Sequence, residues 1–132
     1  MGILLYTDIS GRIKNELRTM EKLMLENGNN RIHSSLASDV DFANLVQEFV
    51  YELPVRQKAI RDFMASGDLE GVRRTIHQLR GACGGYGFQQ LTNAAGEIED
   101  KLRAGATLTN VTAILMDFTS SLSRVTADPE KP

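Results

Sequence analysis

The stretch Asp68-Leu69-Glu70-Gly71-Val72-Arg73-Arg74-Thr75-Ile76-His77-Gln78-Leu79-Arg80-Gly81-Ala82-Cys83-Gly84-Gly85-Tyr86-Gly87-Phe88 carries the decisive pattern of the chain. Leu69, Val72, Ile76, Leu79, Cys83 and Tyr86 recur in steps of three and four, the spacing of one buried face of a helix. Asp68 stands where a side-chain oxygen caps the first turn, and Gly87 stands where a helix ends. With successive residues turned by about 100°, Gly84 lies about 20° from His77, Arg73 and Gly81 about 40°, and Arg74 and Arg80 about 60°. The apolar stripe falls on the other side. The spacing therefore predicts a solvent-facing histidine in mid-helix, flanked by arginines and set among residues that lack side chains.

Gly81, Gly84 and Gly85 sharpen this reading, because a glycine inside a helix costs about 0.5 to 1 kcal/mol relative to alanine. Close packing of another helix of the same chain is the ordinary explanation. Here Gly81 and Gly84 point the way His77 points, which favours the approach of a partner protein. An imidazole nitrogen is a good nucleophile toward phosphorus and yields a phosphoramidate suited to onward transfer. Arg80, one turn on, is placed to offer charge-assisted hydrogen bonds to phosphoryl oxygens, and Arg73 and Arg74 add positive potential. The bland alternative for these two arginines is a solvated basic face.

Outward from this helix the same periodicity repeats. Toward the N-terminus, Phe42, Leu45, Val46, Phe49, Val50 and Leu53 form one stripe that resumes at Ile60, Phe63 and Met64, with Asp39 or Asp41 as the cap and Ser66-Gly67 as the end. Pro54 interrupts it, predicting a kink or two abutting helices. Ile9, Ile13, Leu17, Met20 and Met24 predict a further amphipathic helix that ends in Asn27-Gly28-Asn29-Asn30. Toward the C-terminus, Leu91, Ala95, Ile98 and Leu102 make one helix ending at Gly105. Val111, Ile114, Leu115, Phe118, Leu122 and Val125 make another behind a Thr109 cap. No stretch reads as a strand. Short connections make neighbouring helices antiparallel, so the expected fold is all-α: an up-and-down antiparallel four-helix bundle with an additional N-terminal amphipathic helix. Residues 1–30 form the appendage, 31–127 the bundle and 128–132 a polar tail.

Composition bounds the possibilities. The 132 residues, 42% hydrophobic and 24% charged, suit one soluble domain. A net charge of −2 gives no global basic field to gather nucleic acid. No segment approaches the roughly 20 apolar residues of a membrane span, and the start of the chain lacks the features of a secretory signal, so no membrane insertion and a cytoplasmic location are expected. Cys83, the single cysteine, reads as a small core residue. His33 reads as a surface residue, and no metal site is expected, since His77 and Cys83 point to different faces.

The run His77-Gln78-Leu79-Arg80-Gly81-Ala82-Cys83-Gly84-Gly85-Tyr86-Gly87-Phe88, followed by Leu91, Ala95 and Ile98-Glu99, resembles the histidine phosphotransfer domain family of multistep phosphorelays. The resemblance runs from about Ile32 to Val125. It implies a four-helix bundle whose phospho-accepting histidine maps onto His77, with the family's basic position on Arg80 and its close-approach glycine on Gly81. It implies receiver domains of response regulators or hybrid histidine kinases as partners, and a phosphocarrier without ATP-dependent kinase activity of its own. No cofactor is expected on this chain, while the partner receiver is expected to carry a divalent metal such as Mg. Arg73, Arg74, Gly81 and Gly84 are the candidate docking face.

A hairpin turning near Phe88 places position 77 opposite position 99. Glu99 is therefore a candidate to accept the Nδ1 hydrogen of His77 and leave Nε2 free, the alternative being an ordinary surface carboxylate. Other functions stay open: an interaction bundle that binds a partner without phosphorylation, a chemotaxis-type or hybrid-kinase domain excised from a longer chain and phosphorylated by a kinase's ATP-binding domain, or a general-acid enzyme using His77 and Glu99.

Overall fold

The computed structural model describes residues 30–130, so the expected N-terminal amphipathic helix lies outside the described residues. From Ile32 onward the chain forms one compact unit. Its helices are α1 (Ala43–Ser66), α2 (Leu69–Gly85), α3 (Gln89–Arg103) and α4 (Leu108–Ser121). Each packs on the next, and α4 packs back on α1, which closes the four into a bundle. The connections are too short for anything but reversal of direction.

The apolar stripes meet at the centre. Val46, Leu53 and Ile60 of α1, Val72, Ile76, Leu79 and Cys83 of α2, Leu91, Ala95 and Ile98 of α3, and Val111 and Leu115 of α4 are all buried. Each large aliphatic side chain withdrawn from water in this way contributes roughly 1.5 to 3 kcal/mol before chain entropy is charged against it. Near the α2–α3 turn the ring of Phe49 stacks on Tyr86 at 4.6 Å and on Phe88 at 5.9 Å between centroids. The α1–α2 corner closes tightly because Gly71 has no side chain. A Cβ there would come within 2.5 Å of the Phe63 ring.

Local chemistry sets the helix ends, in places differently from the pattern of the sequence. The Asp68 carboxylate accepts from the Gly71 amide, as its position predicts. Asp39 and Asp41 do not cap α1. Asp39 instead folds a turn ahead of it, its side chain accepting from the Asp41 amide and its carbonyl from the amides of Phe42 and Ala43. Pro54 sits inside one continuous α1 rather than between two helices. The cap of α4 is Thr107, not Thr109, because Asn110 lies three residues beyond Thr107 and completes a reciprocal capping box. Leu69 in the first turn of α2 is exposed, and Tyr86, just past its last turn, is half-buried.

The C-terminal end also departs from the helical expectation. After Ser121 the chain tightens into a 3₁₀ turn over Leu122–Arg124 and extends into β2 (Val125–Thr126), which pairs in parallel with β1 (Ile32–His33). A two-residue strand has no periodicity to read, so only the pairing reveals it. His33, expected at the surface, is half-buried here, and its Nδ1 donates to the Asp128 carbonyl at 2.8 Å. Ser34 then ties this segment to the α2–α3 turn by donating to the Tyr86 carbonyl at 2.6 Å. Gly87 makes that turn, with φ of 85° and serine and leucine atoms of residues 34–36 where a side chain would stand. No helix among the described residues is long and apolar enough to cross a membrane.

Candidate functional site

Antiparallel packing of α2 on α3 pairs their adjoining faces in a regular ladder. Position 84 faces 92, 80 faces 96 and 77 faces 99, each contact one helical turn from the next. Small residues oppose large ones along it. Gly84 leaves room for Thr92, whose Oγ1 would stand 3.1 Å from a Cβ at 84 and donates to the Arg80 carbonyl at 3.0 Å. Gly96 in turn leaves room for the Arg80 guanidinium.

The third rung holds the charge. His77 Nδ1 lies 2.7 Å from Glu99 Oε2, and Arg80 Nη1 donates to Glu99 Oε1 at 3.0 Å. Arg103 Nη2, one turn along α3, approaches the same Oε1 at 3.1 Å. The Glu99 side chain is 1% exposed, whereas those of His77, Arg80 and Arg103 are 60%, 40% and 59% exposed. One buried carboxylate thus gathers three nitrogen bases under a solvent-facing edge. Burial alone raises the Glu99 carboxyl and is the largest single influence on it. The hydrogen bonds from His77 and Arg80, together with the Arg103 charge, outweigh burial and hold it below the usual carboxylate value. It is ionised at neutral pH.

An ionised carboxylate beside Nδ1 selects the tautomer that carries its hydrogen there. The lone pair of Nε2 then faces solvent on an imidazole that is more than half exposed. The arrangement can present a nucleophilic nitrogen, keep it correctly oriented, and counter the positive charge that grows on the ring as Nε2 forms a bond.

The other residues singled out by sequence divide. Gly81 opens to space, with nothing within 4 Å of a would-be Cβ. Gly84 does not stand free in the same way, since Thr92 of the same chain occupies its open side. Its missing side chain serves the α2–α3 contact, the internal role that its orientation toward His77 had argued against. Arg74 is exposed, while Arg73 is held by Glu70 at 2.6 Å within its own helix. Hydrogen bonding to Arg73 holds the Glu70 carboxyl below its ordinary value. Glu99 is far from the surface carboxylate that was its alternative. Cys83 is buried in the core, and burial pushes its thiol up to about 12, which keeps it protonated and unreactive at neutral pH. Among the described residues no group of three or more His, Cys, Asp or Glu is placed to hold a metal ion.

Thr92, Gly96 and Arg103 escaped the reading of the sequence. A signal was present: Thr92, Gly96, Glu99 and Arg103 recur in steps of four, three and four, one residue on from the apolar stripe of α3. A polar stripe beside a buried one reads as a solvated flank until the facing helix is known.

Comparison with protein families matches the model described as "Hpt domain" to residues 44–127, more than half of the chain. Neither the curated proteins nor the solved structures contain a match to the chain.

Proposed function

The chain belongs to the Hpt domain family, which gives it a phosphotransfer-related role in two-component signalling, and on that footing we propose that His77 is the residue that carries the phosphoryl group. The observation that supports this most is the 2.7 Å contact of His77 Nδ1 with the buried Glu99 carboxylate, which leaves Nε2 free on an exposed ring.

In this reading a receiver domain docks over the open face of α2 around Gly81, with Arg74 contributing positive potential and Arg73 screened by Glu70. Gly84 contributes to that face through the place of α3, not through free space of its own. The lone pair of Nε2 attacks the phosphorus of the receiver's phospho-aspartate. The N–P bond forms as the P–O bond breaks, and the aspartate leaves as a carboxylate. No proton has to depart from the attacking nitrogen. The Nδ1 hydrogen stays directed at Glu99, whose negative charge stabilises the cationic ring as it develops. Arg80 lies beside the imidazole and supplies hydrogen bonds to the phosphoryl oxygens, while the receiver's acidic pocket and divalent metal ion supply charge neutralisation from the other side. Reversal with a second receiver passes the group on. The chain contributes nucleophile, orientation and phosphate contact, acting as a carrier inside the cell without turnover of ATP.

The test is transfer from radiolabelled, phosphorylated receiver domains to the protein and to its His77→Gln and His33→Gln variants. Acid-labile, base-stable label on the wild type and the His33 variant, and none on the His77 variant, is the expected result. Label that survives in His77→Gln overturns the assignment. The exposed opening at Gly81 favours a second reading, a module that binds a signalling partner without phosphorylation. Binding of a receiver without any label would support that one instead.

A further inference from the structure

Gly96 is buried in the middle of α3, where glycine is costly, and its backbone does not call for it, since positive φ occurs only at Gly67, Gly87 and Gly105 among the described residues. Its surroundings do. A Cβ at 96 would lie 3.1 Å from Nε, 3.2 Å from Cζ and 3.4 Å from Nη2 of Arg80, closer than such atoms comfortably pack.

We infer that Gly96 is a positioning residue: it leaves a slot on α3 in which the Arg80 guanidinium lies against the helix, with Nη1 on Glu99 Oε1 while His77 Nδ1 holds Oε2. The inference rests on the reading of His77 as phosphoryl acceptor and Arg80 as its phosphate contact. An arginine on an exposed helix face ordinarily samples many rotamers, and each must be given up when it binds an anion. Seated in the slot, Arg80 has already given them up, and it stands one carboxylate's width from the imidazole. One further feature holds it there: Thr92 donates to its main-chain carbonyl, which fixes the backbone from which the side chain leaves. Arg103 Nη2 approaches the same Oε1 at 3.1 Å. Because Arg103 also lies on Oε1, Glu99 keeps a second cationic partner while the seated guanidinium offers its remaining N–H groups to a phosphoryl oxygen. The guanidinium is the flexible end of a long side chain, so a methyl group at 96 displaces it instead of breaking the helix contact.

The experiment uses the full chain with Gly96→Ala, Arg80→Gln and the double variant. Phosphoramidate is the phosphodonor, because this small molecule transfers its phosphoryl group to histidine with loss of ammonia and needs no partner protein. Three quantities are read: the Arg80 Nε–Hε resonance, the rate of label-free phosphohistidine formation by phosphorus NMR, and the thermal midpoint. The expected result for Gly96→Ala is an Arg80 resonance moved toward that of a free arginine and a rate lowered about threefold to tenfold, as for loss of one ordinary hydrogen bond. Its thermal midpoint should be no lower than wild type. In the Arg80→Gln background the same substitution should leave the rate unchanged. An unmoved Arg80 resonance, or the same loss of rate with and without Arg80, overturns the slot. Absence of any phosphohistidine in the wild type overturns the phosphocarrier reading instead, and the resonance then judges the slot alone.

Discussion

At the scale of single residues the molecule is organised around one acid. Glu99 is buried, ionised and held by one imidazole and two guanidinium groups. Its folded carboxyl lies below the ordinary value of 4.5, so on acidification the unfolded chain takes up this proton before the folded one does. The stabilisation is therefore complete above the ordinary value and is lost as pH falls through the lower, folded one. Glu99→Gln should remove about 1 to 3 kcal/mol near neutral pH, the usual cost of unmaking hydrogen bonds to a buried charged group, with solvent screening of its partners favouring the lower end. Denaturant titrations at several pH values check this. The gap between wild type and variant should close as pH drops below about 4.5, and a constant gap would show that the network adds no pH dependence.

At the scale of elements, capping shows how local chemistry and register compete. Thr107 and Thr109 are both threonines two residues apart at the start of α4, and only the first has an asparagine at the third position with its side chain turned back. Thr107→Ala should destabilise the protein by about 1 kcal/mol, whereas Thr109→Ala, inside the first turn and outside the capping box, should change stability by less than about 0.5 kcal/mol. Thermal or urea unfolding of the two variants decides between the positions. The helices themselves were readable because their stripes repeat over about three or more turns. The first residues of α1 and α4 were not, since an aspartate such as Asp39 serves a turn as well as a cap.

At the scale of the whole molecule, the two ends of the described unit are fastened together by β1 and β2, in which Ile32 is opposite Val125 and both are buried. Ile32→Ala should cost about 2 to 4 kcal/mol, and combining it with Val125→Ala should cost less than the two single losses added, because the two side chains share one contact. A double-mutant cycle in denaturant measures the difference. Strict additivity would mean that the pair contributes nothing beyond separate burial. Beneath the site, the same logic of opposed positions explains why α2 carries Gly84 opposite Thr92 and α3 carries Gly96 opposite Arg80.

The sequence by itself determined the helical class, three of the four buried stripes nearly residue for residue, the Asp68 cap, the outward direction of His77 and the rung that joins it to Glu99. These follow from periodicities and from a single short hairpin, in which neighbours in sequence become neighbours in space. Tertiary structure alone decided that Glu99 is buried beneath one imidazole and two guanidinium groups, that Gly84 and Gly96 are shaped to particular side chains of the facing helix, and that Ile32–His33 pairs with Val125–Thr126. Burial is a property of two surfaces at once, and a contact such as that of His33 with Asp128 joins residues 95 positions apart, beyond the reach of any local pattern.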